Sequence, residues 1–166
     1  MKVKDSRDHL FTIEFSEIGE VHVYSYRLKD IRGLVDIISQ GDEISEREIV
    51  EIFITNTACK GELIDDECPE ENSIKKKEIQ HVPDGEIERF SKQYIETYFT
   101  KNNEVKTGDP PKGILDRVPQ EEGESYTSYI ARLIKDNVET IRKAANPFGQ
   151  MLTSTAGYHK NILDQA

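Results

Sequence analysis

Tryptophan is absent from this chain, cysteine and methionine occur twice each, and proline six times in 166 residues. Two cysteines, Cys59 and Cys68, make no disulfide framework; in a reducing compartment they read as free thiols, with a bridge closing a short loop as the lesser alternative. Cys59 ends an apolar helical run and reads as a small buried hydrophobe. Cys68 lies among carboxylates, which raise thiol pKa and argue against a nucleophile. With His81 the two cysteines lack the paired spacing of a zinc site. No apolar run reaches the roughly 20 residues that span a bilayer, and the first residues, Met-Lys-Val-Lys-Asp, hold no apolar stretch of a secretory signal. Asn-x-Ser/Thr acceptors are missing as well. These absences point to a cytoplasmic setting and no membrane.

The motifs of phosphate-binding loops, dinucleotide folds and nucleophile elbows are also missing. The order Pro83-Asp84 followed by Glu104-Val105-Lys106 matches a short metal-nuclease pattern, in which two carboxylates hold a divalent ion and a lysine assists. Here Asp84 precedes a helix and Glu104 lies in a polar loop, the wrong context for paired strands around a cleft. The acidic run from Asp65 to Glu71 lacks the Asp-x-Asp-x-Asp-Gly order of a calcium loop. His22, Tyr24 and Tyr26 alternate onto one strand face with His9 across a turn. Two histidines there approach a zinc site, but no third ligand is assured, and an exposed polar face explains the same residues. The expectation is therefore no cofactor, no metal and no catalytic residue.

What is present is charge and amphipathic periodicity. A third of the residues are charged, with a formal net charge of −10. That balance speaks against direct nucleic-acid binding, and the Lys75-Lys76-Lys77 triplet is too short and too surrounded by acid to reverse it. Residues 1–124 carry 17 basic against 29 acidic side chains, and residues 125–166 carry 5 against 3, so a weakly basic end follows an acidic body.

Tyr126, Tyr129, Ile130, Leu133, Ile134, Val138 and Ile141 fall on one stripe of a helix from Ser125 to Ala145, stopped by Asn146-Pro147. The rest of the chain should cover it. His9–Phe15 and Val21–Tyr26 alternate and flank a short turn, predicting a β-hairpin. Leu28–Ser39 has helical period. Ser45-Glu-Arg-Glu48 matches a capping box opening a helix to about Cys59. Glu62–Val82 holds seven acidic residues and few large apolar ones, predicting a solvated excursion. Asp84 then reads as the N-cap of a helix whose stripe is Ile87, Phe90, Tyr94, Ile95, Tyr98 and Phe99.

The fold class expected is α+β: an N-terminal β-hairpin against four to five helices with two long polar linkers. The domain reading is a hairpin-and-helix core over 1–100, a Pro/Gly linker over 101–124 touching the core at Ile114, Leu115 and Val118, and a C-terminal helix and docking tail over 125–166. The function expected is a non-enzymatic, cytoplasmic protein–protein interaction module, an adaptor or accessory subunit. Its partner-binding residues would be Tyr94, Tyr98 and Phe99 on the aromatic helix, with Phe148, Leu152 and Ile162 on the uncharged tail. The partner would be another protein or a second copy of the chain. Two alternatives are a metal-dependent nuclease or hydrolase and an acidic decoy for a nucleic-acid-binding protein.

Overall fold

The computed structural model describes residues 7–27, 30, 32–39, 43–101 and 113–145. The architecture is α+β, with a three-stranded antiparallel sheet in the order β1-β2-β3 and helices packed on one of its faces. Strands β1 (His9–Phe15) and β2 (Gly19–Tyr24) form the expected hairpin, pairing Phe11 with Val23, Thr12 with His22, Ile13 with Val21 and Glu14 with Glu20. The turn closes through the Ile18 N–H donating to the Phe15 carbonyl, and Gly19 follows at φ +96°, a left-handed conformation that glycine adopts without a Cβ clash. Period-2 alternation buries Ile13, Phe15, Val21 and Val23 and leaves Thr12, Glu14 and Glu20 outside.

Helix α1 (Arg32–Ser39) contributes the buried Leu34. Helix α2 (Glu46–Thr57) starts where Ser45 accepts the Glu48 N–H, as the motif predicts. The reciprocal half of the box is replaced, because the Glu48 carboxylate pairs with Lys76 instead. The helix stops at Thr57 rather than at Cys59: Ala58 and Cys59 form β3 and pair with Val23 and His22 of β2. Two residues after Thr55-Asn56-Thr57 are too few to show the alternation of a strand along the chain.

The acidic excursion after β3 is ordered, a correction to its reading as a solvated loop. Ile74, Ile79 and Val82 are buried in the core, and the Lys60 N–H donates to the Asn72 carbonyl. A single turn of helix, α3 (Lys76–Ile79), closes the segment. Three well-spaced apolar side chains anchor it despite the charge around them.

Helix α4 (Asp84–Tyr94) runs on without a break into a π turn over Ile95–Phe99, where the Thr100 N–H donates to the Ile95 carbonyl. The extra residue per turn keeps Phe99, five places after Tyr94, on the buried stripe. Its cap is Pro83, not Asp84, whose carboxylate pairs with Arg47. Short helix α5 (Ile114–Arg117) rests on the core through Ile114, Leu115 and the following Val118.

Helix α6 (Tyr126–Ala145) lies against α1, α2 and α4, and Tyr129, Ile130, Leu133, Ile134 and Val138 join the same core as the hairpin. Its first turn is capped from another helix. The Glu88 carboxylate of α4 accepts the N–H groups of Tyr126 and Thr127 and the Thr127 hydroxyl at 2.8–2.9 Å. Partial burial pushes the Glu88 carboxyl up, but those three hydrogen bonds outweigh it and hold it below the ordinary carboxylate range.

Candidate interaction face on the outer side of the sheet

The aromatic stripe expected to meet a partner is occupied by this chain itself. Tyr94 and Phe99 are 0% and 2% exposed, which corrects their reading as docking residues. Tyr94 meets Phe53 edge-on at 4.8 Å, contacts Phe11, Phe90, Tyr98 and Phe99, and donates its hydroxyl to the Tyr24 carbonyl at 3.0 Å. Burial raises its hydroxyl pKa well above the ordinary value. Tyr98 is half-buried, with its ring 5.0 Å from that of Tyr26. The surplus of aromatics has a simple cause: a small sheet and three helices leave a wide space that large rings fill. Phe148, Leu152 and Ile162 lie outside the described residues, as do Glu104 and Lys106.

Tyr26 also departs from its expected position. β2 ends at Tyr24, and the chain turns so that the Tyr26 ring packs on Phe53 while its hydroxyl oxygen accepts from Asn137 of α6. The two histidines, by contrast, are brought together. His9 Nε2 lies 3.2 Å from His22 Nδ1, and the Thr12 hydroxyl lies 3.3 Å from the first and 3.2 Å from the second. A β-bulge between His9 and Phe11 puts His9 on the same side as Thr12, which simple alternation would forbid. The His9 ring also meets the Tyr24 ring edge-on at 5.3 Å.

These residues floor a depression of about 500 Å³ whose walls are Arg7, Glu62, Leu63 and Asp66. Its acidic wall is held firmly. Asp65 and Asp66 both have positive φ, and Ile64 and Glu67 exchange both backbone hydrogen bonds across them, the signature of a type I′ turn. Arg27 clamps the turn, donating to the Asp66 carbonyl and the Glu67 carboxylate at 3.1 and 3.0 Å. Cys59 and Cys68 are joined by a disulfide, a correction to their reading as free thiols. β3 and the tight turn bring their Cα atoms to 5.8 Å, a separation a nine-residue spacing alone does not specify.

Closing so short a loop removes unfolded-chain entropy worth about 2–3 kcal/mol. The variant Cys59→Ala/Cys68→Ala should therefore lose roughly that much stability, read as a lower urea midpoint. A midpoint equal to that of the parent would show that the bridge contributes nothing.

Along the outer sheet face the cross-strand rows are then His9 with Tyr24, Thr12 with His22, and Glu14 with Glu20. Two carboxylates directly opposite on one exposed row repel each other. β1 has no further strand partner among the described residues, and Arg89 reaches its edge only at the Glu14 carbonyl. No group of three or more His, Cys, Asp and Glu side chains suited to a metal ion occurs among the described residues. A second depression, about 530 Å³, lies where α2, α4 and α6 begin, but Arg47, Asp84 and Glu88 in its wall are already bound to each other or to α6. No helix of the described residues is long and apolar enough to cross a membrane. No family model matches the chain, and neither does any curated protein or solved structure.

Proposed function

We propose that this chain is a protein–protein interaction module whose outer sheet face receives a basic, extended segment of a partner. The observation that carries the reading is a sheet face with a fixed acidic turn at its His9–Tyr24 end and the opposed Glu14–Glu20 row at the other. A turn whose backbone is held by a bridge, a type I′ conformation and Arg27 loses little main-chain entropy on meeting a cationic segment. A lysine or arginine laid across Glu14 and Glu20 would relieve their repulsion. The net charge of −10 would steer such a partner in, and the free edge of β1 offers main-chain hydrogen bonds to an added strand. The rigidity of the acidic turn also favours the acidic-decoy reading, in which the basic partner is the nucleic-acid-binding surface of another protein.

Cellular location belongs to the same proposal. In the cytoplasm the Cys59–Cys68 bridge would be reduced and the acidic turn less constrained, whereas an oxidising compartment would keep it closed. Contact through Phe148, Leu152 and Ile162, with a second copy or another protein, is a further part, tested by light scattering on a chain ending at Ala145.

The central test is fluorescence anisotropy with a labelled peptide of alternating lysine and threonine. Glu14→Gln/Glu20→Gln/Glu62→Gln should weaken binding roughly tenfold, the sum of three exposed charge pairs, and added salt should weaken it further. Glu43→Gln/Glu96→Gln/Glu121→Gln should leave it within about twofold. Equal losses in both triple variants, or equal binding of an alternating glutamate and threonine peptide, would reject the face.

A further inference from the structure

The three atoms at the floor of the depression form a nearly equilateral triangle, with edges of 3.2, 3.2 and 3.3 Å between His9 Nε2, His22 Nδ1 and Thr12 Oγ1. Zinc holds imidazole nitrogens at about 2.0–2.1 Å in tetrahedral geometry, which places neighbouring ligand atoms about 3.3–3.4 Å apart. The triangle therefore has the dimensions of one face of a tetrahedral site. We propose that His9, His22 and Thr12 bind a divalent transition-metal ion of the zinc class on the outer sheet face, with solvent at the fourth corner. This is independent of whether a partner segment binds there.

Three further observations fit an imidazole-preferring cation. The His9–His22 contact is a hydrogen bond in which one ring nitrogen carries the proton, a proton that moves to the far ring nitrogen when an ion binds, and imidazole suits zinc, copper and nickel rather than magnesium or calcium. The His9 ring is fixed by edge-on contact with Tyr24, and the rows of the hairpin hold Thr12 opposite His22, so the ligands need no rearrangement. Glu62 and Asp66 line the same depression and set a negative field that draws a cation in, while Arg7 is turned to the carbonyls of Ser25 and Asn56. Thr12 supplies a neutral oxygen, a weaker ligand than a carboxylate, so the two histidines carry most of the affinity.

The test is a titration of the tag-free chain with Zn2+ in competition with a chromogenic chelator, alongside melting curves with and without metal. One equivalent of Zn2+ should bind, and it should raise the melting temperature, because binding is confined to the folded hairpin. His9→Ala and His22→Ala should each lower the affinity at least tenfold, since even outer-shell changes at metal sites cost about 10–100-fold. Thr12→Val should lower it less, and His81→Ala/His159→Ala should leave it unchanged. His9→Gln, which keeps a polar side chain, guards against a folding defect through its metal-free melting temperature. Undetectable Zn2+ binding up to millimolar concentration, retention in both single-histidine variants, or equal binding of Mg2+ would overturn the site.

Discussion

Asp30→Asn should cost about 3–5 kcal/mol of folding stability, the usual consequence of removing one partner from a buried ion pair. Asp30 and Arg7 are 8% and 5% exposed at their side chains, and Arg7 Nε lies 3.6 Å from Asp30 Oδ2. Arg27 donates to both carboxylate oxygens at 3.0 Å and its backbone N–H adds a third bond at 2.7 Å. Asparagine keeps the shape but leaves two guanidinium groups facing each other. Their loss also propagates, because Arg7 tethers the chain before β1 to the Ser25 and Asn56 carbonyls and Arg27 clamps the acidic turn. The double variant Arg7→Gln/Asp30→Asn should recover part of the loss, since the uncompensated charge is then gone. A urea midpoint for Asp30→Asn close to that of the parent would show the pair to be energetically idle.

The same carboxylate gives the protein an acid limit. Burial pushes the Asp30 carboxyl up, but the Arg27 hydrogen bonds and the charges of Arg7 and Arg27 outweigh it and hold it below its ordinary value. A carboxyl whose folded-state pKa is depressed stabilises the fold above the ordinary carboxylate range and loses that contribution as pH falls through the depressed value. The parent should therefore lose more stability on acidification than Asp30→Asn does, because Glu88 and the other depressed carboxyls act in both chains. Parallel stability curves for the two chains would contradict this.

Phe53→Ala should be of similar size, about 3–5 kcal/mol, because it empties a site with no exposure at the centre of the core. The Phe53 ring meets Tyr94 at 4.8 Å, Tyr26 at 5.3 Å and Phe90 at 6.5 Å, so its removal unsupports three aromatic neighbours, two on α4 and one after β2. The surrounding rings are too rigid to collapse into the space. Ile64→Ala is the matched control: Ile64 is 64% exposed, and its change should stay within about 0.5 kcal/mol. A Phe53→Ala loss below about 1 kcal/mol would mean that the core relaxes around the cavity.

These two sites mark where reading the chain succeeds and where it stops. Phe53 is legible as core from its place on the α2 stripe, as are Phe90 and Leu133 on theirs. Arg7 and Asp30 carry no such signal. They are single charged residues in unremarkable surroundings, and only the return of the chain past the end of β2 puts them together. Aromatic periodicity marks Tyr94 and Phe99 as one face but does not say what covers it. The covering is the hairpin and α2 of the same chain, and the candidate surface moves to the opposite side of the sheet.

By itself, the sequence determines the periods: alternation in the hairpin, the stripes of α2, α4 and α6, the Ser45 cap, and an α+β chain with an acidic excess. Local steric and hydrophobic preferences act over a few residues, so they leave a trace that can be read along the chain. Tertiary structure alone decides the third strand, the Cys59–Cys68 bridge, the order in the acidic turn and the His9–Thr12–His22 triangle. Each depends on contacts between separate segments or on one bulge, and such pairings are set by how the whole core packs rather than by any local pattern.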